Sequence, residues 1–284
     1  MAHFLIAAAL TAASAAPVSA PAASVAPAHV ISGAPTPALP DARPAIWVVN
    51  DSDTVIYLFG TFHALDGKSA WFNDEVKTAF AASDELVLET LVPEGVQIAP
   101  VKAFAIPPQR VSSLAVAPNA SFLASTRLAI SAGRARGMKV DNGADMVLRR
   151  AAEASGKPVE GLETFDYQLS MFDRMPEQPR QIVGPAQDPG AMKNLAIVMS
   201  QMQAAWNHGD PEIFTTMLDQ MRANSPVSYN VMFTQRNSNW ASWIAERLRK
   251  PGIVFVAVGT GHLAGPDSVQ AKLAQLGVHS ARIN

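Results

Sequence analysis

Two stretches of this chain, roughly 200 residues apart, follow one plan, and that plan constrains the fold more than anything else in the sequence. Ile56-Tyr57-Leu58-Phe59 runs into Gly60-Thr61-Phe62-His63, and Val254-Phe255-Val256-Ala257-Val258 runs into Gly259-Thr260-Gly261-His262. Short all-apolar runs of this kind read as strands covered on both faces, as in a largely parallel or mixed sheet flanked by helices. Each run ends in a Gly, which lets the backbone turn or approach a ligand closely, and a His follows three residues later. In open α/β sheets ligands sit beyond the carboxyl ends of the strands. The two histidines are therefore placed to converge on one ion or one substrate.

The rest of the pattern agrees. Strands are expected at Ile46–Val49 and Thr54–Thr61, joined by a turn at Asn50-Asp51-Ser52-Asp53, where Asx and Ser side chains bond the local backbone. Further strands are expected at Glu85–Leu91, Lys157–Leu162, Ile253–Val258 and near His279–Ile283. Helical spacing covers Ala70–Ala82, Ser121–Arg136, Ala144–Ser155, Phe165–Arg174, Ala191–Asn207, Pro211–Arg222, Ser268–Leu276 and a long segment from Tyr229 to Arg249 stopped by Pro251-Gly252. Val92–Pro118 carries several prolines and is irregular. Helices crowd the middle and strands the two ends, so the expectation is one α/β or α+β domain with a helical middle insertion.

The charges are unevenly spread. The first Asp, Glu, Lys or Arg is Asp41. Phe4 to Ala16 has the length and composition of a signal-peptide core, followed by small-x-small cleavage patterns. Pro17 to Pro44 is Pro/Ala/Ser-rich and cannot bury enough apolar area to offset its ordering entropy. The chain thus divides into a signal peptide (1–20), a linker (21–44) and a folded domain (45–284), with a periplasmic or secreted location expected. No later segment offers about 18 uninterrupted apolar residues, so no mature transmembrane helix is expected. Lys+Arg number 22 and Asp+Glu 24, a balance that argues against nucleic acid as partner. There are no cysteines, which excludes thiol nucleophiles and thiolate-held metals and leaves nitrogen and oxygen ligands.

Other chemistry-bearing residues gather at strand ends. Glu89 closes the apolar run Leu86-Val87-Leu88, and a carboxylate there must be paired, protonated or metal-bound. Glu163 follows Val159–Leu162. On the long helix, Phe233, Trp240, Ile244 and Leu248 form an apolar stripe on which Asn237 falls, with Arg236 beside it. Polar groups on a core-facing stripe need partners, and Arg suits bidentate contact with a carboxylate or an oxyanion. His208 reads as helix-end structure, and the 11 scattered Met as core filler.

In its motifs the chain resembles the TraB/GumN family, the group that also contains the Tiki-type metalloproteases. The resemblance is carried by Ile46-Trp47, Leu58-Phe59-Gly60-Thr61-Phe62-His63, the Asp84–Glu89 strand, Gly156-Lys157-Pro158-Val159, Leu162-Glu163-Thr164, Gln168-Leu169, Trp206, Gly209-Asp210, Arg236-Asn237 with Trp240, and Val256-Ala257-Val258-Gly259-Thr260-Gly261-His262-Leu263 with Gly265. It implies an erythromycin-esterase-like or ChaN-like α/β fold. It also implies a divalent metal held by His63, His262 and Glu89, with Arg236 and Asn237 as supporting groups.

The function expected from these readings is a metal-dependent hydrolase of the envelope that cleaves a peptide or a small-molecule substrate. Mn²⁺, Co²⁺ or Zn²⁺ would polarise the scissile carbonyl and lower the pKa of bound water. Glu89 or Glu163 would act as general base, Arg236 and Asn237 would orient it or stabilise the oxyanion, and Gly60, Thr61, Gly259 and Thr260 would line the substrate subsite. The alternatives are a non-catalytic binder of haem, metal or peptide using the same cleft, and an interaction protein with a vestigial site.

Overall fold

The computed structural model describes residues 39–91, 129–175 and 189–284. The expected signal peptide, most of the linker, the Val92–Pro118 stretch and the first half of the Ser121–Arg136 helix lie outside the described residues.

Six strands form one mixed sheet: β1 (Ile46–Asn50), β2 (Thr54–Thr61), β3 (Glu85–Thr90), β4 (Val159–Glu163), β5 (Gly252–Gly259) and β6 (Ala281–Arg282). Their spatial order is β4-β3-β5-β2-β1-β6. The neighbours from β4 to β2 are parallel, and β1 and β6 add antiparallel edges. The expected turn forms between β1 and β2: Asp51 Oδ1 accepts from the backbone N–H of Asp53 (3.1 Å) and of Thr54 (2.9 Å). The two look-alike strands are immediate neighbours, paired in register from Thr54↔Gly252 to Thr61↔Gly259. Their Gly-Thr ends therefore lie side by side at one edge of the sheet.

Side chains alternate between the two faces, as the pleat requires. From β2, β3 and β5, Phe59, Leu86, Leu88, Phe255 and Ala257 enter one core, while Ile56, Leu58, Val87, Val254, Val256 and Val258 enter the other. The first core is roofed by α1 (Asp74–Ala82), α2 (Ala144–Ala154), α4 (Pro189–Asn207) and α5 (Glu212–Asn224), which contribute Phe80, Leu148, Met199, Trp206 and Phe214. The second is covered by α7 (Gln235–Arg247) and α8 (Val269–Gln275), through Trp240, Ile244, Val269 and Leu273. Between them in sequence come α3 (Phe165–Asp173), after β4, and the short α6 (Pro226–Tyr229). The result is the expected α/β class, a sheet with a helical layer on each face.

Most boundaries fall within two residues of the sequence reading, and three features depart from it further, each for a local reason. The first helix begins at Asp74 rather than Ala70, because Asn73 caps it by accepting from Val76 N (3.1 Å), while Ala70 N is taken by Pro40 O (2.9 Å). The long helix of the C-terminal half is broken: α6 passes through a π-helical turn at Asn230–Thr234 before α7. Residues 40–44, read as the end of the linker, are laid against the domain, with Ala42 buried and its carbonyl accepting from Asn73 Nδ2 (2.8 Å).

Candidate functional site

The carboxyl ends of β2, β3, β4 and β5 deliver His63, Glu89, Glu163 and His262 to one place, and Arg236 reaches it from α7. Arg236 is fully buried and bonds three of those four side chains. Its Nε donates to Glu163 Oε1 (2.9 Å) and Oε2 (3.1 Å), and its Nη2 to Glu163 Oε2 (2.9 Å) and Glu89 Oε2 (2.8 Å). Its Nη1 donates to His262 Nε2 (3.1 Å) and to the Met232 carbonyl (3.3 Å), which the π-helical turn presents. Trp240, one helical turn further along α7, donates Nε1–H to Glu163 Oε1 (3.0 Å), and its ring lies 4.6 Å from the guanidinium carbon. A buried cation is tolerable only with this degree of pairing.

Those bonds define the state of His262. A guanidinium can only donate, so Nε2 is an acceptor and the ring proton sits on Nδ1. From there it goes to Asn237 Oδ1 (2.5 Å), whose Nδ2 donates to the Asp267 carbonyl (2.7 Å). His262 is wedged between the rings of Phe233 (4.8 Å) and Trp240 (4.4 Å). Burial, then the Arg236 charge, push its pKa down to about 3 against the pull of Glu89. It is a neutral link in a chain of hydrogen bonds.

His63 differs. The N-terminus of α2 docks on its loop through Ala144 N to the Phe62 carbonyl (3.0 Å). Gly143 is required there, since a Cβ would collide with the His63 carbonyl. This docking brings Asp145 to His63 Nδ1 (3.2 Å). Burial on its own would lower the His63 pKa, but the Asp145 carboxylate, by charge and hydrogen bond, and then Glu89 override it and raise it to about 9. Glu89 goes the other way: burial opposes ionisation, but Arg236, the two histidines and the Gly259 N–H (2.6 Å to Oε1) hold its carboxyl well below the usual range.

His63 and Glu89 meet over Gly259. A Cβ on that glycine would lie 3.0 Å from His63 Nε2 and 3.1 Å from Glu89 Oε1, so the bare backbone leaves the space between them open. This is the floor of a pocket open to solvent on one side and walled by Met199, Met202, Phe214, Met217 and Phe233. Thr61, Thr260 and His262 also line it. Gly60 lies behind, where its carbonyl accepts from Trp206 Nε1 (2.8 Å) and Thr260 packs against its bare Cα. All four strand-end residues and the Arg236-Asn237 pair thus come together. The sequence reading did not find Asp145, Trp240 Nε1 or the methionine wall.

Among the described residues, no three His, Asp or Glu side chains stand close enough to hold one metal ion. The proposed ligand set does not close in this arrangement because the ligating nitrogen of His262 is occupied by Arg236 and the second oxygen of Glu89 is bound to the same guanidinium. His63, with Nδ1 anchored on a carboxylate and Nε2 lining the pocket, would ligate a metal only after Nε2 gives up its proton.

The class is defined by these features: an α/β domain whose adjacent parallel strands end in paired Gly-Thr-x-His segments around a buried arginine. The chain belongs to the TraB/PrgY/gumN family, which matches it over residues 45–114 and 102–282. It is similar to the uncharacterized protein YbaP of Escherichia coli (strain K12) and to its counterpart of the same name in Shigella flexneri, each 28% identical over 137 residues, 48% of this chain and 50% of the relative. The chain thus spans about half the length of the curated relatives it matches. No solved structure matches it.

Proposed function

We propose that this chain is an exported hydrolase that cleaves a peptide or related acyl bond in the pocket floored by Gly259. One observation carries the reading: an acid and an acceptor, His63 and Glu89, face each other across an otherwise bare backbone at the bottom of an apolar pocket. Two titratable groups driven to opposite protonation states are the arrangement that divides acid from base roles.

At neutral pH His63 carries its proton and Glu89 lacks one. A water between them would be oriented by Glu89 for attack on a carbonyl, its proton passing to that carboxylate. His63 would give its Nε2 proton to the departing amine and recover one from Glu89. Arg236 keeps Glu89 ionised and in place, and Asp145 keeps His63 in the tautomer that presents Nε2. No described helix is long and apolar enough to cross a membrane.

The test is mass-spectrometric profiling of cleavage of a mixed peptide library by the purified chain, by His63→Ala and by Glu89→Gln, with and without EDTA. Cleavage by the parent that both variants lose supports the proposal, and cleavage that both variants retain defeats it. Cleavage that disappears with EDTA and returns with Mn²⁺, Co²⁺ or Zn²⁺ would assign metal chemistry to the same residues, with Arg236 turning away from His262.

A further inference from the structure

Among the described residues, three buried side-chain polar atoms have no hydrogen-bond partner: Thr61 Oγ1, Thr90 Oγ1 and Gln270 Oε1. Of these residues only Thr61 lines the pocket. Its side chain is 98% buried, being 2% exposed, and it follows Phe59 by two residues, so it stands on the face roofed by α4 and α5. The backbone around it is satisfied: Gly60 O accepts from Trp206 Nε1 (2.8 Å), Thr61 O from Thr260 Oγ1 (3.1 Å) and Phe62 O from Ala144 N (3.0 Å). Among the described residues that line the pocket, this hydroxyl is the one fully buried side-chain polar atom without a partner.

An unpaired buried hydroxyl destabilises a fold, and a Val of the same shape would fill the position without that cost. We infer that the Thr61 hydroxyl is a ligand-contacting group, donating to the carbonyl oxygen of an acyl or peptide group whose apolar side chain packs against Met199, Met202 and Phe214. The wall gives affinity without direction, and a single donor at its base orients the guest. Thr61 is paired with Gly259 in the β2–β5 register, so the bound carbonyl lies beside the gap between His63 and Glu89. The inference rests on the pocket proposed above as the reaction site, but concerns binding and not turnover.

The experiment is a ligand-observed NMR titration of the full chain with N-acetyl-leucinamide, which carries an apolar side chain between two carbonyls, alongside thermal melts. Thr61→Val should bind about tenfold more weakly, Thr61→Ser within about twofold of the parent, and Thr61→Val should melt no lower than the parent. Equal binding by Thr61→Val, a melting temperature lowered in Thr61→Val, or no binding by the parent at millimolar probe would each overturn the inference. The outcomes separate from those of the hydrolase proposal: loss of the carbonyl contact leaves the His63 and Glu89 variants to be judged on cleavage, and absence of cleavage leaves the binding comparison intact.

Discussion

Replacing Arg236 with Met removes the one group that Glu89, Glu163 and His262 all bond. The methionine stem approximates the arginine stem as far as Nε, so the loss is chiefly electrostatic, with a small cavity where the two Nη groups of the fully buried guanidinium stood. Glu163 keeps the Trp240 donor (3.0 Å) and Glu89 keeps the Gly259 N–H (2.6 Å) and the facing His63, but both carboxylates lose the guanidinium and His262 Nε2 loses its donor. Breaking a buried pair in this way costs about 3–5 kcal/mol, a large share of a total near 5–15 kcal/mol. At about 2–4 °C per kcal/mol for a domain of this size, the melting temperature should fall by roughly 6–20 °C at pH 8. The pH dependence gives the sharper check. In the parent, Glu89 is held below its ordinary value of 4.5; its stabilisation is present above that pH and is lost as the pH falls. In Arg236→Met, burial is opposed at Glu89 by His63 but no longer by the guanidinium, so the carboxyl rises, and the variant is least stable at high pH and recovers as protonation becomes possible. The gap between parent and variant, measured by urea denaturation followed through tryptophan fluorescence, should therefore narrow from pH 8 to pH 5. A gap below about 1 kcal/mol, the cost of one ordinary hydrogen bond, or a gap that does not change with pH, would refute the view that this guanidinium neutralises the site.

Three further outcomes are expected. Asp145→Asn removes the charge that overrides burial at His63, so its pKa, raised to about 9 in the parent, should fall below 6.5; an NMR titration of the His63 ring that stays near 9 would contradict this. The stabilisation that His63 contributes below its unfolded pKa, and loses as pH rises through about 9, should vanish in the same variant. Gly259→Ala inserts a Cβ 3.0 Å from His63 Nε2 and 3.1 Å from Glu89 Oε1, which should abolish pocket binding at a stability cost of about 1–3 kcal/mol, read from probe titration and urea denaturation. Asn73→Ala should lower stability by about 1 kcal/mol through the lost helix cap, with little effect on the site.

What the sequence disclosed depended on how local the cause was. β2 and β5 were legible because strands covered on both faces carry unbroken apolar runs, Val55–Phe59 and Ile253–Val258. Arg236 and Asn237 were legible because they interrupt an apolar stripe, and a polar group there announces a buried partner. Asp145 was not, because an acid in the first turn of a helix has a sufficient local explanation in the helix dipole, and its link to His63 spans 82 positions. The π-helical turn at Asn230–Thr234 carries no spacing signal either, although it sets where the Met232 carbonyl meets the guanidinium. β4 was weakly marked because two of its five residues are exposed, and only Glu163 at its end reaches Arg236.

The two Gly-Thr-x-His segments show why a motif alone does not assign a role. Both histidines leave adjacent parallel strands, with the two motifs offset by one residue (Thr61 pairs with Gly259), and both have Nδ1 hydrogen-bonded to an oxygen. The partners differ by one charge. The carboxylate of Asp145 behind His63 makes that ring a cation up to about pH 9, while the neutral amide of Asn237 behind His262, with a guanidinium in front, leaves its ring unprotonated until about pH 3. Glu89 lies between them, 3.9 Å from His262 Nε2, and can face a proton donor only on the His63 side. The asymmetry that the proposed hydrolysis needs is thus written in Asp145 and Asn237, outside the repeated motif, and it is the placement of α2 and α7 on opposite faces of the sheet that turns two equal sequence segments into an acid and a fixed hydrogen-bond link.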